Sequence, residues 1–514
     1  MEFTKADKEK NMERKKNKAV SFFAICMAIL VVCSVLIWGF QSSWGNVRIK
    51  RLNLTSQDGT TVSSLIYIPK NATNDTPAPL AVIYHGRSNH AHSNDTWSME
   101  LARRGYVVLS PDLQGGGESD PSVDRSIQAI SVAEYANSLP YVEKNAINLI
   151  GYSAGTHTVL QTYHAMPERV KSICEVFGPF MMQMAGGIDD VDTNFCLIKS
   201  DADQYDYFFI GNPQACTEYV TKAAGLPEVV SGKDYDRNGK LFRYSEISGT
   251  LHQTGNISGE TIEAILSFES AVNEEPISRP STDTAWFPQQ IFSGIACVTM
   301  MFLLAALVNL LMQNPFFASA ANPVPVKAPR SGAKAWILDI LFAVIIPMII
   351  FVPVSAYVMV WTGAANLNGI MGWLLVLAAI GIVRMLLTAS KRKKEGKPMH
   401  LSEFALGGAD ERKIDWIKPA KGFLMGLICV TFVFVWLGLL EGFLGINYQV
   451  WNLSTYLKIC PMRILRAIPY VLIIFFVMFT GNMSQRVLPS TGNAKKDMWI
   501  AVAVNTVLTA LALF

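Results

Sequence analysis

Histidine, cysteine and charged residues are all scarce in this chain, and each scarcity narrows what it can be. Seven histidines in 514 residues leave few candidates for any reaction that needs an imidazole. Of the eight cysteines, Cys174, Cys196 and Cys216 are the three in the long mixed segment between the first and second apolar runs. An odd number, two of them on expected strands, reads as buried thiols, with a single bridge the most they allow. Charged residues make up 17% of the chain against 50% hydrophobic ones, a balance that points to a membrane. The net charge of +3 gives nucleic-acid binding no support and follows from where the basic residues fall around apolar segments.

A membrane-crossing helix takes about 20 apolar residues. Ala19 to Phe40 supplies the first. After a long mixed segment come Phe287–Met312, Trp336–Trp361, Gly369–Thr388, Gly422–Gly442, Ile464–Thr480 and Met498–Phe514, about seven spans in all. The first run is too long for a signal peptide and lacks a clear small-residue cleavage site, so it reads as a signal anchor. The last is short and ends at the chain terminus, as it would in a piece of a longer protein. Pro347 and Pro353 are expected to kink the third span.

Basic residues set the orientation. The tail with Lys5, Lys8, Lys10, Arg14, Lys15, Lys16 and Lys18 is expected in the cytoplasm. Threading from there leaves Lys327, Arg330, Lys334, the run 391–394, Lys397, Arg412, Lys413, Lys418, Lys421, Arg486, Lys495 and Lys496 inside; only Lys458, Arg463 and Arg466 oppose it. The reading is therefore a multi-pass protein of the cell membrane. Residues 1–41 form a basic tail and first helix, 42–284 a domain outside the cytoplasm, and 285–514 a six-helix all-α bundle. Asp339, Arg384 and Glu441 fall near span ends, where charged groups reach the interface, so the bundle shows little chemistry of its own.

In the middle segment, Val47–Thr55 and Thr61–Ile68 alternate apolar and polar residues around Asp58-Gly59, as an antiparallel hairpin does. Later strands are nearly continuous apolar runs separated by helical stretches such as 127–138 and 260–270. This alternation predicts an α/β fold with a mainly parallel sheet covered on both faces. Its most informative stretch is Gly151-Tyr152-Ser153-Ala154-Gly155, between the apparent strand Ile147–Ile150 and a helix over Thr156–Met166. A strand that turns sharply into a helix holds the middle side chain in a strained, exposed position, and only small flanking residues allow it.

A serine hydroxyl becomes a nucleophile when a base takes its proton and a third group orients that base. In a strand–turn–helix site the order along the chain is serine, acid, histidine. Past Ser153 the candidates are His157, His164, His252 and His400. The first two ride the helix that Ser153 begins and point away from it, and His400 lies in a basic loop between spans. His252 remains, just after the expected strand Phe242–Ile247. Asp203 is the expected acid, three residues past the strand Asn194–Lys199, with Asp201 and Asp206 close rivals.

The segment from about Val47 to Val272 resembles the α/β-hydrolase superfamily, especially its dienelactone-hydrolase-like and prolyl-oligopeptidase-like members. Leu80-Ala81-Val82-Ile83-Tyr84-His85-Gly86 is similar to the strand and His-Gly turn that supply half of the oxyanion hole. Leu101 to Asp112 matches the next helix end, strand and loop, and Gly115 to Ser119 resembles the Gly-x-Gly-x-Ser turn of many members. One departure is Thr156, where many members carry a further glycine. The resemblance implies that the Arg87 and Ala154 backbone N–H groups hold the oxyanion, with Gly151 and Gly155 shaping the elbow, and that no cofactor is needed. At roughly 240 residues the segment builds one core, with no room for a propeller or large cap.

Other patterns are read as structural. His90-Ala91-His92 with Asp95 has the wrong spacing for a binuclear zinc motif and is expected to form a polar surface loop above the site, with no metal. Asp234 to Gly239 starts like a calcium loop, but Ser245 stands where the bidentate Glu belongs, so a turn is expected. Met181, Met182 and Met184 fit a small lid over acyl chains as well as they fit core. The sequence thus predicts a membrane-anchored serine hydrolase acting on a small carboxylic ester, acyl or lipid-like. A serine peptidase is the alternative enzyme, and an idle binding domain of a membrane sensor or transporter the alternative class.

Overall fold

The computed structural model describes residues 5–122, 124–179, 187–273, 279–321, 337, 341–362, 366–396, 398–399, 413–449, 461–486 and 491–503. The methionines considered for a lid lie outside these residues, as do Lys327, Arg330, Lys334, Asp339, His400, Arg412 and Lys458. The chain divides into two compact units, Met1–Leu310 with Cys429–Lys458, and Leu311–Ile428 with Ile459–Phe514.

The first unit is built on a nine-stranded sheet. Strands β1 (Val47–Thr55) and β2 (Thr61–Pro69) form the expected hairpin, in register from Val47 opposite Pro69 to Thr55 opposite Thr61. Gly59, at φ 79°, takes the left-handed position of its turn. There follow β3 (Ala78–Tyr84), β4 (Val107–Pro111), β5 (Val142–Tyr152), β6 (Val170–Val176), β7 (Asn194–Ser200), β8 (Asp234–Arg237) and β9 (Lys240–Ile247). The spatial order is β1-β2-β4-β3-β5-β6-β7-β9-β8. From β4 to β9 the neighbours run parallel, while β1, β2 and β8 are antiparallel additions at the two edges. Asn238-Gly239 is the tight turn between β8 and β9, as expected for that acidic stretch.

Helices α1 (Lys5–Gln41), α2 (Asp95–Ala102), α3 (Arg125–Ser138), α4 (Ala154–Ala165), α5 (Gln204–Phe209), α6 (Pro213–Ala224) and α7 (Gly259–Asn273) belong to the same unit. Val82, Leu109, Leu149 and Leu197 on one face of the sheet pack with Val132 and Ala133 of α3 and Val159 and Leu160 of α4. Ile83, Val108, Ile150 and Ile198 on the other face pack with Trp97 and Leu101 of α2 and Ile262 and Ile265 of α7. With both faces covered, successive strand residues are all buried, which is why these strands read as unbroken apolar runs. The strand order reverses at β3, so the crevice beyond the C-terminal ends of β3 and β5 is where such a sheet places its site.

Among the described residues four helices are long and apolar enough to cross a membrane: Lys16–Gln41, Trp286–Leu311, Asn368–Lys394 and Ile417–Leu444. Shorter apolar helices, Ile346–Val358 and Ala467–Thr480, stand at two further expected spans, and most of 498–514 is outside the described residues. The longer later helices are α8 (Trp286–Leu311), α9 (Ile346–Thr362), α10 (Asn366–Lys394), α11 (Ile417–Leu444) and α12 (Pro461–Arg486). Within the first unit, Leu30, Cys33 and Ile37 of α1, Ala296, Met300 and Leu303 of α8, and Leu440 of α11 form one apolar cluster. Within the second, α10 packs between α9 and α12, and the Trp373 indole N–H donates to the Pro347 carbonyl at 3.0 Å.

Helix α2 also grips the start of α8. The Glu100 carboxylate, fully buried, accepts from the Ala285 N–H at 2.6 Å and the Trp286 N–H at 2.9 Å. Arg103 and Arg104 pair with its other oxygen at 2.7 and 2.9 Å, and Arg104 also reaches the Pro280 and Asp283 carbonyls. A helix N-terminus leaves its first N–H groups unsatisfied, and here a carboxylate of the folded domain satisfies two of them. Removing one partner of a buried ion pair typically costs about 3–5 kcal/mol. Glu100→Ala should therefore lower the melting temperature of the full chain in detergent by several degrees, measured by scanning fluorimetry, whereas an unchanged melting point would mean that the clamp contributes little.

Candidate active site

The backbone at Ser153 passes through φ 54°, ψ −118°, between the end of β5 and the first residue of α4. A side chain seldom accepts such a conformation, which costs about 1–3 kcal/mol where the surroundings impose it. Here they do. The Ser153 N–H donates to the Val176 carbonyl at 2.9 Å, and its carbonyl accepts from the Thr156 N–H at 2.9 Å and hydroxyl at 2.6 Å. The expected elbow glycines are sterically required. A Cβ on Gly151 would lie 2.6 Å from the Gly155 carbonyl carbon, and one on Gly155 would overlap the Tyr84 carbonyl oxygen.

His252 opens the 3-10 turn His252–Ile257 after β9. Its Nε2 is 2.9 Å from Ser153 Oγ and its Nδ1 is 2.7 Å from Asp203 Oδ2. An Nδ1–H donated to Asp203 leaves Nε2 as the acceptor for the serine hydroxyl. Asp203 is fully buried, and its Oδ1 caps α5 by accepting the Tyr205 N–H at 2.9 Å. The rival acids lie elsewhere. Asp201 holds the turn ahead of His252, accepting the Gly249 N–H at 2.6 Å and the Ser248 hydroxyl at 3.1 Å. Asp206 is buried within α5. His157 lies on α4, and His164, exposed near that helix's end, is 3.6 Å from Asp190.

Aromatic rings, which the sequence reading passed over, enclose the imidazole. Tyr152 stacks on it at 5.6 Å and donates its hydroxyl to the His252 carbonyl. Burial pushes the Tyr152 pKa up, which keeps that donor protonated. Phe177 meets the ring edge-on at 5.9 Å and Tyr205 lies 4.5 Å away. Tyr152 was in plain sight inside the pentapeptide; its role follows from being the last buried residue of β5 before the turn.

The His85-Gly86 turn ends β3 beside the elbow, where a Cβ on Gly86 would lie 3.3 Å from Ser153 Cβ. His85 is a structural ring: its Nδ1–H donates to the Gly86 carbonyl at 2.7 Å and its Nε2 accepts the Leu113 N–H at 2.9 Å. Burial, with Arg125 nearby, holds it well below the ordinary histidine pKa and therefore neutral. The Arg87 and Ala154 N–H groups follow Gly86 and Ser153 directly, and the Arg87 side chain is exposed.

The segment 90–95 differs from the expected surface loop. His90, Ala91, His92 and Asp95 are all buried, because Asp112 and the ends of neighbouring elements take up their polar groups. The Ala91 N–H donates to Asp112 Oδ1 at 2.7 Å and its carbonyl accepts the Ser110 hydroxyl at 3.0 Å. Among the described residues no group of His, Cys, Asp and Glu has metal-site geometry. The turn resembling Gly-x-Gly-x-Ser wraps the same carboxylate: the Glu118 N–H reaches Asp112 Oδ2 at 2.9 Å, and a Cβ on Gly117 would overlap it.

Thr156, the departure from the resemblance noted in the sequence, packs against a glycine of the facing segment. A Cβ on Gly178 would overlap the Thr156 side chain, so the threonine is accommodated by the absence of a side chain at Gly178. Overpacking of this kind costs typically 1–3 kcal/mol. Gly178→Ala should destabilise the protein by that amount and the double variant with Thr156→Gly should recover it in thermal unfolding; additive losses would contradict the pairing.

Residues 79–183 match the family model described as the alpha/beta hydrolase fold. Solved structures similar to this chain include a serine hydrolase without lid from Xanthomonas campestris (16% identity, 45% of this chain and 97% of that one, TM-score 0.34). They also include dienelactone hydrolase from Anabaena variabilis (15%, 44% and 96%, 0.31) and dipeptidyl peptidase 4 from Porphyromonas gingivalis (17%, 46% and 36%, 0.34). No curated protein matches the chain at a significant level. With residues 79–183 matched and a nine-stranded, mostly parallel sheet around them, the chain carries an α/β-hydrolase fold together with long apolar helices.

Proposed function

We propose that this protein is a membrane-anchored serine hydrolase that cleaves a carboxylic ester through an acyl-enzyme intermediate. The observation that carries the reading is the continuous hydrogen-bonded chain from Ser153 Oγ through His252 to Asp203, at 2.9 and 2.7 Å, with Ser153 on a strained turn. His252 Nε2 takes the hydroxyl proton as Ser153 Oγ attacks the ester carbonyl. The oxyanion that forms is held by the Arg87 and Ala154 N–H groups, and each such donor is typically worth on the order of 3 kcal/mol of barrier. Collapse breaks the ester C–O bond, and His252 returns its proton to the leaving alkoxide. Water gives a proton to the same ring and attacks the acyl carbon; the bond to Ser153 Oγ breaks, His252 returns that proton to Oγ, and the acid leaves. Asp203 holds the tautomer and stabilises the imidazolium that forms in each half.

An apolar acyl or alcohol portion is favoured by the helix that Asp203 caps. Tyr205, Tyr207, Phe208 and Phe209 are exposed there, Phe208 at 82%, and Tyr205 touches His252. For the placement outside the cytoplasm, the support is that α1 ends, and α8 begins, on the hydrolase domain. Gln41 reaches Asp95, and Ala285 and Trp286 meet Glu100, as a domain inserted between two spans requires. The basic N-terminal tail then assigns that side to the cell exterior.

Purified full-length protein in detergent should hydrolyse p-nitrophenyl esters of short and medium chain. Ser153→Ala and His252→Ala should each lower kcat on the order of 10⁴-fold or more, and Asp203→Asn on the order of 10²- to 10⁴-fold. Variants that retain turnover would overturn the assignment, and cleavage of peptide amides in place of esters would redirect it to a peptidase. Intact cells given a charged, membrane-impermeant ester should show the same turnover; activity seen only after permeabilisation would reverse the orientation.

A further inference from the structure

Glu441 lies near the C-terminal end of α11, a helix apolar enough to cross a membrane, yet its carboxylate is largely covered by residues of the hydrolase domain. It forms an ion pair with the Arg51 guanidinium of β1 and lies 3.5 Å from His92 Nε2. A charge at a span end was expected to reach the water interface; here it turns into protein, because Arg51 and His92 supply the partners that solvent would have supplied. Arg51 donates to Asp112 Oδ2 at 3.0 Å as well, so Glu441 and Asp112 share one guanidinium. His92 gives its Nδ1–H to Asp95 at 2.8 Å, and Asp95 also accepts from the Tyr67 hydroxyl at 2.6 Å and the Gln41 amide at 3.3 Å. Burial alone would push His92 down, but Asp95 and Glu441 outweigh it and hold the imidazolium up at about 10. Arg51 Nη2 also lies 3.2 Å from His92 Nε2, so Glu441, Arg51 and His92 meet in one cluster.

These contacts surround the segment that follows Gly86. Its turn is pinned by the Ala91 N–H on Asp112, the carboxylate that Arg51 steadies from the other side. The same segment braces the histidine turn. The Asn256 amide donates to the Ser93 carbonyl at 2.9 Å, and the Thr96 hydroxyl donates to the Asn256 carbonyl at 2.5 Å. Trp97 meets Tyr152 edge-on at 5.6 Å, and Tyr152 holds the His252 carbonyl. One short stretch, 86–97, thus touches the oxyanion donor at one end and the base-bearing turn at the other, and its middle is fastened to a membrane helix.

We propose that Glu441 is a positioning residue for the Ser153 site: through Arg51 and His92 it holds residues 86–97 where the Arg87 N–H faces Ser153 and the His252 turn is braced. The proposal rests on the hydrolase reading above. Glu441 touches no reacting atom, and its effect is exerted through displacement, where an error on the order of 1 Å is enough to cost about 10²-fold in rate. A shift of α11 relative to β1 would by the same route alter turnover, so the apolar helix is linked mechanically to the chemistry.

The test uses the full chain in lipid nanodiscs, with Glu441→Gln, Glu441→Asp and, as a control on the same helix end, Phe443→Ala, whose side chain is exposed. Glu441→Gln should lower kcat for a p-nitrophenyl ester by about tenfold with KM within twofold, Glu441→Asp should recover much of the loss, and Phe443→Ala should match wild type. Hydrogen exchange of backbone amides in 88–96 should rise in Glu441→Gln and stay near wild type in the control. A Glu441→Gln protein with wild-type kcat and wild-type exchange overturns the proposal, as does a loss that Asp fails to reduce while exchange in 88–96 is unchanged. If Gln prevents folding, the Asp variant alone decides on the same two readings. Should wild type itself lack turnover, the hydrolase reading fails, and the exchange data still decide whether Glu441 positions the segment.

Discussion

The whole site hangs on one steric constraint, the close crossing of β3 and the turn that leaves β5. At that crossing the Tyr84 carbonyl lies where a side chain on Gly155 would be, and Gly86 passes within contact distance of Ser153. Because the two chains can approach so closely, α4 begins directly behind Ser153 and the Gly86 turn comes to rest at its side. Ser153 is left on a backbone conformation that it would not choose, tied down by Val176 and Thr156. Everything else converges on that point: Asp203 and His252 arrive on turns after β7 and β9, and Asp203 both caps α5 and orients the ring. Strain at Ser153 is tolerable because the two buried cores beneath it are large and continuous on both sheet faces.

The second organising element is α2 with the turn before it. Its Asp95 meets Gln41 of α1, its Glu100 meets the start of α8, and His92 just ahead of it meets Glu441 of α11. Buried charges are costly unless paired, and these are paired across the boundary between an aqueous domain and apolar helices. Such polar contacts define a single orientation where apolar packing by itself would permit sliding. The α/β domain is therefore seated on its helices through specific polar and ionic contacts, and the seat lies next to the turns that carry Ser153 and His252.

Much of this was legible in the residues. The glycines of the elbow, the apolar strand runs and the shortage of histidines led to Ser153 and His252 because each reflects a local requirement of sterics or chemistry. Asp201, Asp203 and Asp206 were harder to separate, since all three lie within six positions and only the path of the turn after β7 decides which one faces His252. The Arg51–Glu441 pair was invisible for a different reason. Its partners are 390 residues apart, neither belongs to a periodic pattern, and a glutamate at a span end is equally at home in water. The His90–Asp95 segment was misread as surface because its polar composition is that of a loop; its burial depends on Asp112, Tyr67 and Gln41, none of which is close in sequence.

The central claim is that Ser153 is an activated nucleophile in a site outside the cytoplasm, and covalent labelling tests it most directly. Intact cells expressing the wild type or Ser153→Ala would be treated with a membrane-impermeant fluorophosphonate, and the adduct mapped by mass spectrometry. The account predicts one adduct, on Ser153, formed in intact cells and absent from the variant. A folded, surface-accessible wild-type protein that takes no label, in intact or permeabilised cells, would contradict it.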